Sequence, residues 1–293
     1  MKTSPAPGSA FPMTRLSTIL KTGLRVVQLL GRYRSARIAA RLFCTPFPSK
    51  LATRHFPAPE GVRIESMAFE RASLTLYHWP APAGAPQLLM THGWGGWGLQ
   101  LTALANSLSR AGWAVVVIDQ PAHGRSAAWN TTLPQFVRAL AYVSARLERV
   151  EALLGHSMGA SAACIAAASG MGLRKLVLIA APISMTQITR EYAAAFGMPE
   201  RLRADMVRHL EAREGMVFER MDATYTAPRI TAQTLVVHDH DDTTVPYASA
   251  QKLLENLQDA KLMSTQGLGH RRLLKDPGVV ESVTQFFGAV REA

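Results

Sequence analysis

"LLGHSMGASAACIAAASG" (residues 153–170) sets one serine between two glycines, after an apolar run and before an alanine-rich stretch. Gly155 and Gly159 stand two residues either side of Ser157. Glycines so placed imply a backbone turn too tight for Cβ atoms, and such a turn lifts a side chain into a site. A glycine-flanked serine is cheap on its own, since alanine-rich helices often begin after glycine. Its neighbours decide: "VEALLGHS" (150–157) reads as a strand, so Ser157 falls at a strand-to-helix junction.

On either side of that junction, strands and helices alternate. Strands are expected at 63–70 and 74–81 as an opening hairpin, then at 86–93, 113–120, 173–182, 231–239 and 260–266. Helices are expected at 99–110, 133–149, 249–257 and 277–290, and residues 184–225 read as two or three short ones. This rhythm predicts an α/β fold: a mostly parallel, doubly wound sheet with helices on both faces. Chemistry in such sheets gathers beyond the carboxyl ends of the strands.

The chain has 293 residues, is 48% apolar and 18% charged, and carries a formal charge of +11. That length and composition suit one large globular domain or two small ones. Residues 1–55 hold ten Lys or Arg and no acid, so the body is nearly neutral and nucleic acid is not expected as a partner. Leu16, Ile19, Leu20, Leu24, Val27 and Leu30 recur at helical spacing among those charges. They predict an amphipathic helix, packed on the body or on a partner, or else lying on an anionic membrane surface through residues 13–43 or serving as an organellar targeting peptide. Pro46, Pro48, Pro57 and Pro59 mark an expected linker. Domain bounds follow as 1–59 for the basic segment, 60–182 with 230–293 for the core, and 183–229 for a helical cap. Cys44 and Cys164 make no disulfide framework or zinc spacing and fit a reducing, cytoplasmic compartment.

Four motifs, with Ser157, resemble the α/β-hydrolase superfamily in its serine esterase and lipase branch. "THGWGGWG" (91–98) is similar to the family's oxyanion loop. "DQPAHGRS" (119–126) is similar to its Asp-x-Pro-Gly-His-Gly-x-Ser segment, with Ala122 where a glycine is usual. "HDHDDTTVP" (238–246) resembles the acid loop and "GLGHRRLL" (267–274) the histidine loop. Chain order Ser, Asp, His is this fold's order.

The resemblance assigns Ser157 as nucleophile, His270 as base and Asp242 as the acid, with Asp241 as the alternative. It places the main-chain N–H groups of Trp94 and Met158 at the oxyanion. A serine hydroxyl needs a base within hydrogen-bond reach, and the imidazole needs a carboxylate to hold its tautomer. Trp97, His156 and Phe196 are expected in the substrate pocket. Residues 183–229 interrupt the rhythm where the family carries its cap, and methionines such as Met206 and Met221 make them apolar and adaptable. The expected partner is a small-molecule ester or related acyl substrate, with no metal or organic cofactor required. Thioester, amide, peptide and carbon–carbon bond hydrolysis stay open on the same machinery, as does a non-catalytic binder of this fold.

Overall fold

β4 (Ala114–Asp119, AVVVID) is a run of β-branched residues with neither face toward water, as a central parallel strand must be. Alternation sorts its side chains. Val116 and Ile118 join the core on one face, Val115 and Val117 the core on the other. The structure, a computed structural model, describes residues 31–47 and 50–290. Within these lie β1 (Arg63–Phe69), β2 (Ala72–His78), β3 (Gln87–Thr91), β5 (Val150–His156), β6 (Lys175–Ile179), β7 (Gln233–Asp239) and β8 (Ala260–Thr265). All eight form one sheet in the order β1-β2-β4-β3-β5-β6-β7-β8. β1 and β2 are an antiparallel hairpin, and β2 meets β4 antiparallel; every pairing from β4 to β8 is parallel.

The helices among the described residues are α1 (Arg32–Phe43), α2 (Thr102–Arg110), α3 (Leu133–Ser144), α4 (Met158–Ala168), α5 (Met185–Phe196), α6 (Glu200–Glu214), α7 (Ala223–Thr226), α8 (Ala248–Asn256), α9 (Gly269–Arg272) and α10 (Pro277–Phe287). α2 and α10 cover one face of the sheet; α3, α4 and α8 cover the other. Alanines make α4 thin enough to bury nearly all round against the sheet and α3. Thr132 caps α3 by accepting the Gln135 N–H, and Ser184 caps α5 by accepting the Gln187 N–H.

Two expectations change in detail. Residues 183–229 hold α6, at 15 residues longer than a short helix, beside α5 and the single turn α7. The stretch expected as a linker is tied to the body. Lys50 Nζ donates to the Ser126 carbonyl at 2.9 Å, and Arg125 donates to the carbonyls of Arg54 and Phe56. Of the predicted amphipathic helix, residues 13–30 lie outside the described residues. Its remainder, α1, packs small residues Ala36, Ala39 and Ala40 inward against the body and α6. Arg32 grips Asp205 of α6 at 2.5 and 2.6 Å. Among the described residues no helix is long and apolar enough to cross a membrane.

Candidate active site

Between the end of β5 and the start of α4, Ser157 adopts φ 55° and ψ −125°. That left-handed conformation costs a non-glycine residue on the order of 1–3 kcal/mol and must be held by its surroundings. The flanking glycines explain how. A Cβ on Gly155 would lie 2.5 Å from the Gly159 carbonyl oxygen, and one on Gly159 would lie 2.4 Å from the His92 carbonyl oxygen. Strand, elbow and the loop after β3 therefore touch through bare backbone. The Ser157 N–H donates to the Ile179 carbonyl of β6 at 2.8 Å, which fixes the elbow to the neighbouring strand.

His270, in α9, is carried to Ser157 by the loop after β8. Its Nε2 lies 3.0 Å from Ser157 Oγ, and its Nδ1 lies 2.8 Å from Asp242 Oδ2. A carboxylate only accepts, so Nδ1 carries the proton and Nε2 is left to accept from the serine hydroxyl. Asp242 is buried, and its other oxygen accepts the N–H groups of Thr244 and Val245 at 2.8 and 2.9 Å. Burial opposes ionisation here, but the His270 imidazole and these two N–H groups outweigh it. The carboxyl is held below its usual range.

The neighbouring aspartates act on backbone. Asp239 accepts from the Thr265 hydroxyl at 2.6 Å and from the N–H groups of Asp241, Leu268 and Gly269 at 2.9 to 3.0 Å. Burial pushes its carboxyl up, but these four donors bring it below the usual range. Asp241, the alternative acid, is exposed and accepts the Gly267 N–H at 2.9 Å. Both hold the loop that carries His270; only Asp242 meets the imidazole.

The loop after β3 is fixed by two buried imidazoles. His92 accepts the Gln120 N–H at Nε2 (3.0 Å) and donates from Nδ1 to the Gly93 carbonyl (2.7 Å). His123 accepts the Gly95 N–H at Nε2 (2.9 Å) and donates from Nδ1 to the Pro121 carbonyl (2.9 Å). A ring nitrogen that accepts carries no proton, so both rings are neutral. Burial pushes both pKa values down, that of His123 well below the usual value. Ala122, beside His123 in the loop after β4, stands at φ 67°, where glycine would be unstrained. The N–H groups of Trp94 and Met158 donate to no other group among the described residues. The first turn of α4 adds partial positive charge beside Ser157.

Ser157 and His270 open into one cavity of about 710 Å³. Trp94, Met158, His156 and Phe196 line it, joined by Ile188 and Tyr192 of α5. His156 is buried and donates from Nε2 to the His270 carbonyl at 2.9 Å. Burial, with the His270 ring beside it, pushes its pKa down to about 3, so it stays neutral. Trp97 is not in this lining: its ring stacks on Phe56 at 5.2 Å. The expectation for Trp97 is corrected by that upstream phenylalanine, which takes the ring as its own packing partner. Sequence reasoning missed the stretch Leu42–Phe47, which lines the cavity. No local motif marks it, because its place depends on how α1 docks.

The chain belongs to the α/β-hydrolase fold superfamily: residues 86–228 match the family described as alpha/beta hydrolase fold, and residues 218–291 match the one described as TAP-like protein. No curated protein matches. A membrane phospholipase A, described as a bacterial virulence factor, is similar at 17% identity and a TM-score of 0.61, over 93% of this chain and 92% of its own. Est1E from Butyrivibrio proteoclasticus, solved with ferulic acid, is similar at 18% identity and a TM-score of 0.59, over 76% of this chain and 97% of its own. A proline iminopeptidase from Mycobacterium smegmatis gives 20% and 0.58, over 76% and 97%. At such identities the likeness is one of fold.

Proposed function

We propose that the protein is a serine hydrolase that cleaves carboxylic esters through an acyl-enzyme. The observation that carries this reading is the unbroken chain from Ser157 Oγ through His270 to the buried Asp242 carboxylate. Ser157 attacks the acyl carbon as His270 Nε2 takes its proton, and Asp242 stabilises the imidazolium. The Trp94 and Met158 N–H groups receive the oxyanion, a role that main-chain donors fill without reorganising. His270 then returns the proton to the leaving alcohol, and water attacks the acyl-enzyme by the same route in reverse. Residues 183–229 act as a cap over the site. An apolar cavity favours an acyl ester or thioester over a peptide.

Hydrolysis of p-nitrophenyl esters, acetate through palmitate, tests the reading beside Ser157→Ala. Turnover lost in the variant, with phosphonate labelling of the wild type alone, is the expected result. A folded wild type that neither turns over an ester nor takes the label would move the protein to a non-catalytic binder.

A second reading concerns location. Arg34, Arg37 and Arg41 are exposed on one side of α1, and Phe47 beyond them is exposed too. Basic charge beside an exposed aromatic suits an anionic membrane surface. Salt-sensitive sedimentation with phosphatidylserine vesicles is expected, and binding indifferent to salt would sink the idea.

A further inference from the structure

Six consecutive residues, Leu42 to Phe47, line the cavity that holds Ser157 and His270. They lie upstream of residue 86, where the match to the hydrolase family begins. This wall therefore lies outside the segment that matches the family. It is fastened from several directions. The Cys44 carbonyl accepts the Thr131 N–H at 2.9 Å, and the Asn130 amide donates to Thr45 Oγ1 at 2.6 Å. Arg213 of α6 donates to Cys44 Sγ at 3.6 Å. Phe43 meets Tyr192 of α5 edge-on at 5.0 Å, and Tyr192 stands 4.6 Å from Phe196, so aromatic rings join α1 to α5 along the wall. Phe47 lines the cavity yet is 66% exposed, which puts it at an opening.

We propose that Leu42, Phe43, Cys44 and Phe47 form an acyl-chain subsite that selects esters of a medium to long unbranched hydrocarbon chain. This rests on the esterase reading for the site as a whole. The cavity of about 710 Å³ lies within the range of roughly 300–1,000 Å³ typical of sites for drug-sized ligands, well beyond what an acetyl group fills. Each chain methylene moved from water onto such a surface strengthens binding about four-fold. The wall's apolar side chains therefore discriminate by length, with the ester carbonyl held at Ser157.

The test reads the p-nitrophenyl ester chain length of highest kcat/KM in wild type, Leu42→Trp and Phe43→Ala, each checked by thermal melting. Leu42→Trp should move the optimum to shorter chains and cut the ratio of decanoate to acetate kcat/KM at least ten-fold, chiefly through KM. Phe43→Ala should move the optimum to longer chains. If one variant fails to fold, the other decides. Active, folded variants with an unmoved optimum overturn the subsite and leave the esterase reading standing. If the wild type hydrolyses no ester and Ser157 takes no phosphonate, the esterase reading fails and dansyl-undecanoate binding decides the subsite. At least ten-fold weaker binding in Leu42→Trp supports it, and equal binding overturns it.

Discussion

Around Ser157, loops are held by main-chain groups, buried carboxylates and neutral imidazoles, each with a named partner within about hydrogen-bond length. The helices α1, α5 and α6 are held differently. Methionine, alanine and aromatic side chains pack their inner faces, and ion pairs such as Arg32 with Asp205 stitch their outer ones. Directional bonds fix atoms to a fraction of an ångström, whereas apolar packing fixes volume and tolerates change of shape. Under the proposed function, the difference separates chemistry, which needs a fixed distance from His270 to Ser157, from recognition, which needs a wall of suitable size.

The sharpest way to break this contrast is at its rigid half. Ser157→Ala and His270→Ala should each lower kcat/KM by about 10³- to 10⁶-fold, and the double variant should lose little more, because the residues act as a unit. Additive losses would show that they do not. The other half is probed by Met206→Ala, which empties a fully buried position on α6 that does not line the cavity. It should cost about 2–5 kcal/mol in urea unfolding. The phosphonate labelling rate of Ser157 should hold at the same time; a parallel fall would show the two regions to be mechanically one.

Acid sharpens the comparison further. Burial lowers the pKa of His92, His123, His156 and His238, so the unfolded chain binds protons that the native rings do not. Stability is therefore lost as pH falls below about 6.5, the ordinary histidine value. His156, held down to about 3, alone accounts for about 2 kcal/mol by pH 5. Urea midpoints compared at pH 7 and pH 5 measure this, and an unchanged midpoint would contradict the neutral rings. The smallest effect is expected at Ala122, whose left-handed backbone glycine would adopt freely. Ala122→Gly should raise stability by about 0.5–1 kcal/mol, the relieved strain exceeding glycine's extra freedom when unfolded. Differential scanning calorimetry reads the sign, and a lower Tm would refute it.

The sheet was legible because buried strands such as β4 and β7 are short apolar runs closed by turn residues. Ser157, Asp242 and His270 were legible because each sits in a local motif at a strand end, and the structure brings their side chains together. Within the aspartate cluster the resemblance chose Asp242 and left Asp241 as the alternative. Which of Asp239, Asp241 and Asp242 meets the imidazole depends on a loop 28 residues away. The place of Trp97 was not legible, because nothing local to its glycine-rich loop reveals Phe56, which takes its ring from upstream. The wall from Leu42 to Phe47 was silent for the same reason. Its neighbours, Tyr192 and Arg213, stand 149 and 169 positions further along the chain.

The three clustered aspartates leave the protein without a spare. Asp239 is saturated by donors, Asp241 is turned toward Gly267, and Asp242 alone faces His270. A chain that writes the same letter three times within four positions looks redundant on paper. Folded, it is a division of labour in which no member can deputise for another. Mutational robustness at this corner is therefore lower than its repetition implies.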